Sequence, residues 1–206
     1  MKKLLIITDT TDKQTNGVVR TLKTTTDILS KDFDVYWINP LNFNRISLPF
    51  YKEIDVSLNV YKIGNKIECI NPEYIHIATE GPVGLAGKLY CDKKGYNYTT
   101  SYHSMFPEFI QDMFKVPSGL TYPYFRWFHS NSKNILVPTN KIKELLSEKS
   151  FKNLVVWKRG VDRKIFNSSH RNRPEDSVLK IILCVSRVSK EKDWMIFAKF
   201  PFRKDT

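Results

Sequence analysis

Short apolar runs, most of them leading through polar residues into a segment with helical spacing, constrain this chain more than any other feature. The runs are Lys3–Thr8, Val35–Asn39, Tyr74–Ala78, Tyr98–Tyr102, Ile135–Pro138 and Leu154–Trp157. Continuous apolar runs this short suit strands buried on both faces. Helical spacing follows at Gly17, with Val18, Val19, Leu22, Thr26 and Leu29, and again over Gly81–Lys94, closed by Gly95. Phe106–Phe114, the aromatic segment Tyr122–Asn131, and Lys141–Lys149 also read as helices. Leu41–Pro49 reads as loop, and Ser57–Ile63 as weakly strand-like. Strands alternating with helices predict an α/β chain built on a doubly wound parallel sheet.

The C-terminal part breaks this pattern. His170–Asp176 is polar, contains Pro174 and reads as a linker; Lys180–Val185 then begins a fresh apolar strand. Arg187–Lys192 opens a strand–helix unit, yet the sequence given stops at Thr206. One strand and one helix cannot bury a core alone. The expected organisation is therefore a domain over 1–172, with 173–206 as a linker and the incomplete beginning of a second domain.

Charge narrows the partners. Lys and Arg number 33 against 21 Asp and Glu, a formal charge of +12. Such an excess suits a phosphorylated substrate, an acidic lipid surface or a nucleic acid, or serves solubility alone. The lysines are scattered, with no recognition helix and no repeated aromatic–basic platform, so no nucleic-acid partner is expected. Cys69, Cys91 and Cys184 lack metal-type or redox-type spacing and read as buried thiols in a reducing compartment. Leu4–Ile7 is too short for a signal core, and no run approaches membrane-spanning length. The expected location is the cytoplasm, with peripheral attachment to the inner face of the cell membrane as a further option.

Ligands of open α/β sheets bind beyond the carboxyl ends of the strands. Three such ends here are polar: Asp9-Thr10 with Asn16-Gly17 beyond, Thr79-Glu80-Gly81-Pro82, and Ser101-Tyr102-His103-Ser104. A glycine opening a helix after a strand can present backbone N–H groups to an anion; an ordinary turn is the alternative. The first loop has neither a Walker ending nor a G-x-G-x-x-G run. Gly81-Pro82-Val83-Gly84-Leu85-Ala86-Gly87 has the wrong spacing for a dinucleotide fingerprint and reads as close packing of a helix on the sheet. Glu80 reads as a helix cap first and as a ligand for a substrate hydroxyl second. Asp32-Phe33-Asp34 precedes a strand instead of ending one, which places it away from the cleft, and no cluster has metal-ligand spacing. His103, at a strand end with polar flanks, is the candidate catalytic histidine. His76 and His129 read as structural. Arg187 and Lys192 are either a clamp for a diphosphate or a solvated basic turn.

Taken together and in order, these segments resemble family 4 GT-B glycosyltransferases. The resemblance rests on Thr8-Asp9-Thr10 with Asn16-Gly17-Val18-Val19-Arg20-Thr21-Leu22, on His76-Ile77-Ala78-Thr79-Glu80-Gly81-Pro82, and on Ser101-Tyr102-His103. It continues through Val137-Pro138-Thr139, Trp157-Lys158-Arg159-Gly160-Val161-Asp162 with Phe166, and Ser186-Arg187-Val188 with Glu191-Lys192. The subgroup most similar is that of GDP-mannose-dependent α-mannosyltransferases, including phosphatidylinositol mannosyltransferase-like enzymes. Sulfoquinovosyl-diacylglycerol synthases share much of the pattern.

The resemblance implies a Rossmann-like N-terminal domain of a GT-B fold, facing a donor-binding domain across a cleft. It implies a metal-independent, retaining transfer of a hexose from a nucleotide sugar to a lipid or glycan. GDP-mannose is the favoured donor, a UDP-sugar the second choice, and no further cofactor is expected. By position, Gly17, Arg187 and Lys192 would hold the donor diphosphate and His103 would contact the transferred sugar. Asn16, Arg20, Thr79 and Glu80 would lie on the acceptor side, and Arg159 and Asp162 near the cleft. The family's paired glutamates do not occur before residue 206. The chain alone is therefore expected to be inactive or barely active, with a separate chain supplying the donor domain as one remedy. The alternative function is a non-catalytic module that binds anionic glycolipid or a partner chain.

Overall fold

A computed structural model describes residues 1–14, 16–48, 51–161, 163–170 and 185. Strands β1 (Lys2–Ile7), β2 (Phe33–Ile38), β5 (Tyr74–Ile77), β6 (Thr99–Ser101), β7 (Ile135–Val137) and β8 (Leu154–Val156) form one sheet. Its order is β2-β1-β5-β6-β7-β8, and every pair is parallel. The doubly wound sheet expected from the apolar runs is the fold observed, Rossmann-like in its layout. Between β2 and β5 lie β3 (Arg45–Leu48) and β4 (Tyr51–Ser57), an antiparallel pair that forms a separate two-stranded sheet.

The helices are α1 (Gly17–Leu29), α2 (Ile63–Ile70), α3 (Pro82–Lys94), α4 (Phe106–Phe114), α5 (Ser118–His129) and α6 (Asn140–Glu148). From β1 the chain crosses to β2 on one side, whereas from β5 onward it crosses to β6, β7 and β8 on the other. With right-handed crossovers, this reversal puts α1 on one face and the later helices on the opposite face. The side chains agree. Ile6 and Ala78 pack with Leu22 of α1. Leu5, Ile7, Ile75 and Ile77 pack instead with Ile63 and Ile67 of α2, Val83 and Cys91 of α3, and Phe128 of α5. Alternate residues of one strand thus enter two different cores, as the two-residue period of a strand demands. A third cluster, with Tyr102, Tyr122, Phe125, Ile135, Val137, Leu146 and Phe151, closes the β6–β8 end.

Four expectations need correction. Leu41–Pro49 is not simply loop: Pro40–Asn42 forms a 3-10 turn, and Arg45–Leu48 is a strand of the hairpin. Ser57–Ile63 is not a strand: only Ser57 ends β4, Val60–Lys62 is a 3-10 turn, and α2 starts at Ile63. Gly64, a poor helix former, sits in the first turn of α2 because the Tyr90 ring occupies the space a side chain would need. The aromatic helix begins at Ser118 rather than Tyr122 and runs through Pro123. Cys91 is a buried thiol as expected, but Cys69 is exposed. Asp162, Cys184, Arg187 and Lys192, and the segment 173–206 apart from Val185, lie outside the described residues.

Candidate active site

The strand order reverses between β1 and β5, so their carboxyl ends diverge and leave a crevice. Asp9 closes the floor of that crevice. Its carboxylate accepts from Val83 N–H at 2.7 Å and Gly84 N–H at 3.2 Å, capping α3 from a different strand. Thr79 Oγ1 donates to Asp9 at 2.7 Å and accepts from the Asp9 backbone N–H at 2.7 Å. Burial pushes the Asp9 carboxyl above its usual range, against the pull of its bonds to Thr79, Val83 and Gly84. Gly84 is needed here, because a Cβ would lie 1.8 Å from the Thr79 carbonyl oxygen. The glycine-rich run therefore packs a helix on the sheet, as its spacing suggested.

Glu80 does not cap α3, the role its position favoured; Gly81 stands at the cap position and Asp9 supplies the oxygen. The Glu80 side chain turns inward, 7% exposed, with Oε1 3.3 Å from Nε2 of buried His129. On its other side, His129 Nδ1 lies 2.8 Å from Thr100 Oγ1. Thr100 donates to Ser132, and Ser132 donates to the His129 carbonyl. Thr100 must therefore accept from Nδ1–H, which leaves Nε2 to face the carboxylate. His129 is structural, as read.

Across the crevice, Asn16 caps α1: its Oδ1 accepts from Val19 N–H at 3.0 Å. Gly17 begins the helix, exposed, where the first N–H groups have no partner within the helix. A Cβ on Gly17 would meet only an Arg159 guanidinium nitrogen, at 3.8 Å, so the start of α1 and the segment after β8 come together. Arg159 Nη2 in turn lies 3.0 Å from His103 Nδ1. Arg20 stands over the Phe166 ring at 5.6 Å.

A row of rings backs this group. The Trp157 ring lies 6.2 Å from that of His103 and 6.5 Å from that of His76. His76 is bonded on both nitrogens, to Thr99 Oγ1 at 2.8 Å and Ser101 Oγ at 2.9 Å. Burial lowers its pKa to about 4. Burial, then the charge of Arg159, and then His76 lower that of His103 to about 3.

Of the residues expected from sequence, the fold brings together Gly17, His103 and Arg159, with Arg20 beside them through Phe166. Asn16 and Thr79 have their side-chain oxygens engaged in holding the loops, and Glu80 faces the interior. Sequence reasoning missed Trp157 as part of the site. Its signal is the register: Ser101 pairs with Leu136 and Leu136 with Val155, so two residues further on His103 and Trp157 share a row. Among the described residues, no group of three His, Cys, Asp or Glu is placed to hold a metal ion.

Residues 17–164, well over half of the chain, match the model of Glycosyltransferase Family 4. The chain belongs to glycosyltransferase family 4. No curated protein gives a significant match. The matched span of this family 4 chain opens at Gly17 and contains His103 and Arg159. Membership implies a nucleotide-sugar donor and an acceptor. Chemically, Gly17, Arg159 and His103 bring together a guanidinium, the first N–H groups of a helix and an imidazole. Such groups suit an anionic oxygen beside neutral hydroxyls. A separate apolar groove of about 420 Å³, lined by Tyr61, Leu85, Ala86, Leu89 and Tyr90, lies between the Val60–Lys62 turn and α3.

Proposed function

We propose that this chain is the acceptor-side part of a retaining hexosyltransferase that moves a sugar from a nucleotide sugar to a lipid or glycan. Mannose from GDP-mannose is the favoured donor, and a UDP-sugar the second. The observation that carries this reading is the meeting of Gly17, at the start of α1, with Arg159 and His103, beyond the ends of β8 and β6. In this reading the Gly17 N–H holds a diphosphate oxygen, with Arg187 and Lys192 as further cations on the donor. His103 contacts the transferred sugar, and Arg20 and Arg159 border the acceptor. The transfer needs no metal. Positioned cations and N–H groups stabilise the charge that develops on the leaving diphosphate.

The test is titration of the chain with GDP, GDP-mannose, UDP and UDP-glucose by calorimetry, followed by a transfer assay with lipid and glycan acceptors in the presence of a chelator. The expected result is saturable binding of GDP-mannose that weakens at least about tenfold, roughly 1.4 kcal/mol, in His103→Ala. Absence of binding to every nucleotide sugar sinks the donor reading. Binding of anionic glycolipid without nucleotide binding or transfer favours a non-catalytic module instead. Peripheral docking on anionic membranes belongs to the same proposal, given the charge of +12. No helix among the described residues is long and apolar enough to cross a membrane. Co-sedimentation with vesicles that ignores their anionic lipid content removes the docking idea.

A further inference from the structure

The contact between Arg159 and His103 carries more than proximity. A guanidinium has five N–H donors, no acceptor, and keeps its proton in proteins. At 3.0 Å from His103 Nδ1, Arg159 Nη2 can only donate, so Nδ1 must present a lone pair. The single ring proton of a neutral His103 then sits on Nε2. A doubly protonated ring would turn Nδ1–H against the guanidinium and break the contact. Nε2 has no solvent contact and, among the described residues, no hydrogen-bond partner. A shielded N–H without an acceptor is uncommon and calls for a role.

The neighbours reinforce this state. Among the described residues, the charged and titratable groups facing His103 are Arg159, from the segment after β8, and His76, from β5. His76 brings no negative charge. Thr99 Oγ1 donates to the Ile75 carbonyl, so it accepts from His76 Nδ1–H, and Ser101 Oγ–H donates to the remaining lone pair on Nε2. The Trp157 ring packs against His103 without offering an acceptor. Among the described residues, no carboxylate is at hand to favour an imidazolium.

We infer that Arg159 is a positioning residue that holds His103 as the neutral Nε2–H tautomer, with the ring's one lone pair, on Nδ1, occupied by the guanidinium. If the transferase reading holds, on which this last step alone rests, His103 borders the transferred sugar and takes no proton from it. This excludes a general-base role for the residue most exposed to that assignment from sequence.

The test is long-range ¹H–¹⁵N NMR of the histidines in the intact chain, with His103 assigned through His103→Gln. The expected spectrum shows His103 Nδ1 unprotonated and Nε2 protonated, unchanged from about pH 5 to about pH 8. In Arg159→Met, His103 is expected to populate both tautomers and to titrate nearer the ordinary value of about 6.5. Arg159→Lys is expected to restore part of the Nε2–H preference, because an ammonium can still donate to Nδ1. Far-UV circular dichroism shows whether each variant folds. The wild-type spectrum is decisive even if neither variant does: a proton on Nδ1, or titration of His103 near 6.5, overturns the inference. A locked Nε2–H tautomer that persists unchanged in folded Arg159→Met overturns it too. Since none of these readouts needs a sugar or a nucleotide, failure of the transferase assay leaves the tautomer result standing. It removes only the sugar as the group that His103 borders.

Discussion

Asp9 links three elements through one side chain. Its carboxylate, at the end of β1, caps α3 and receives the Thr79 hydroxyl from the end of β5. The crevice owes its shape to this junction, because nothing local in Thr8-Asp9-Thr10 forms a turn toward α3. Asp9→Ala removes three acceptor contacts and leaves the Val83 and Gly84 N–H groups without their cap. The expected loss is about 1–3 kcal/mol of unfolding free energy, read from the urea midpoint. Asp9→Asn keeps one acceptor oxygen and is expected to cost less. Equal stability of Asp9→Ala and wild type would show that water replaces the cap at no cost.

At the scale of elements, α3 and α5 use glycine for opposite reasons. In α3, a Cβ on Gly84 would overlap the Thr79 carbonyl at 1.8 Å, and one on Gly87 would press on Ile7 at 2.9 Å. The helix lies close to the sheet only because both positions lack side chains. Gly84→Ala must therefore push α3 off the strand ends, at a cost of about 1–3 kcal/mol or more. In α5, a Cβ on Gly119 meets nothing within 4 Å, and its φ is not in the left-handed region. Gly119→Ala is expected to raise stability by about 0.4–1 kcal/mol, through lower entropy of the unfolded chain. Thermal unfolding of the two variants side by side checks both directions, and a shift of the same sign in both would contradict this account. The β3–β4 hairpin follows a different logic: it stands outside the main sheet, in a stretch whose loop-like composition hid it.

For the whole molecule, the parallel sheet buries strand-end histidines together with apolar side chains. His76 titrates at about 4 in the folded chain, whereas an unfolded histidine titrates near about 6.5. The unfolded state therefore binds more protons between these values, and stability falls as the pH drops through that window. Above about pH 6.5 the contribution is fully present. At about pH 4, on the order of 3 kcal/mol from His76 is lost, with His103 adding a loss of the same sign. Urea unfolding at intervals from about pH 7 to about pH 4 is expected to show this decline. His76→Gln, which cannot take up the proton, is expected to flatten it. An unchanged slope in that variant would move the acid sensitivity to other groups.

Much of this architecture was legible from residue order. The apolar runs Lys3–Thr8 and Tyr74–Ala78 announced buried parallel strands, Gly95 announced the stop of α3, and His103 stood out at a polar strand end. These are local signals, because side-chain period and backbone conformation are set by neighbours in sequence. The hairpin and α2 were not legible: Gly64 argues against a helix until Tyr90, far along the chain, is seen filling its place. The site divides in the same way. Sequence determined which strand ends carry polar residues. Only the tertiary structure decided that Glu80 turns inward to His129, that Asp9 caps a helix from another strand, and that Arg159 reaches His103. Those outcomes depend on strand order and register, which bring together residues as far apart in sequence as Asp9 and Gly84 or Gly17 and Arg159, and no local pattern encodes them.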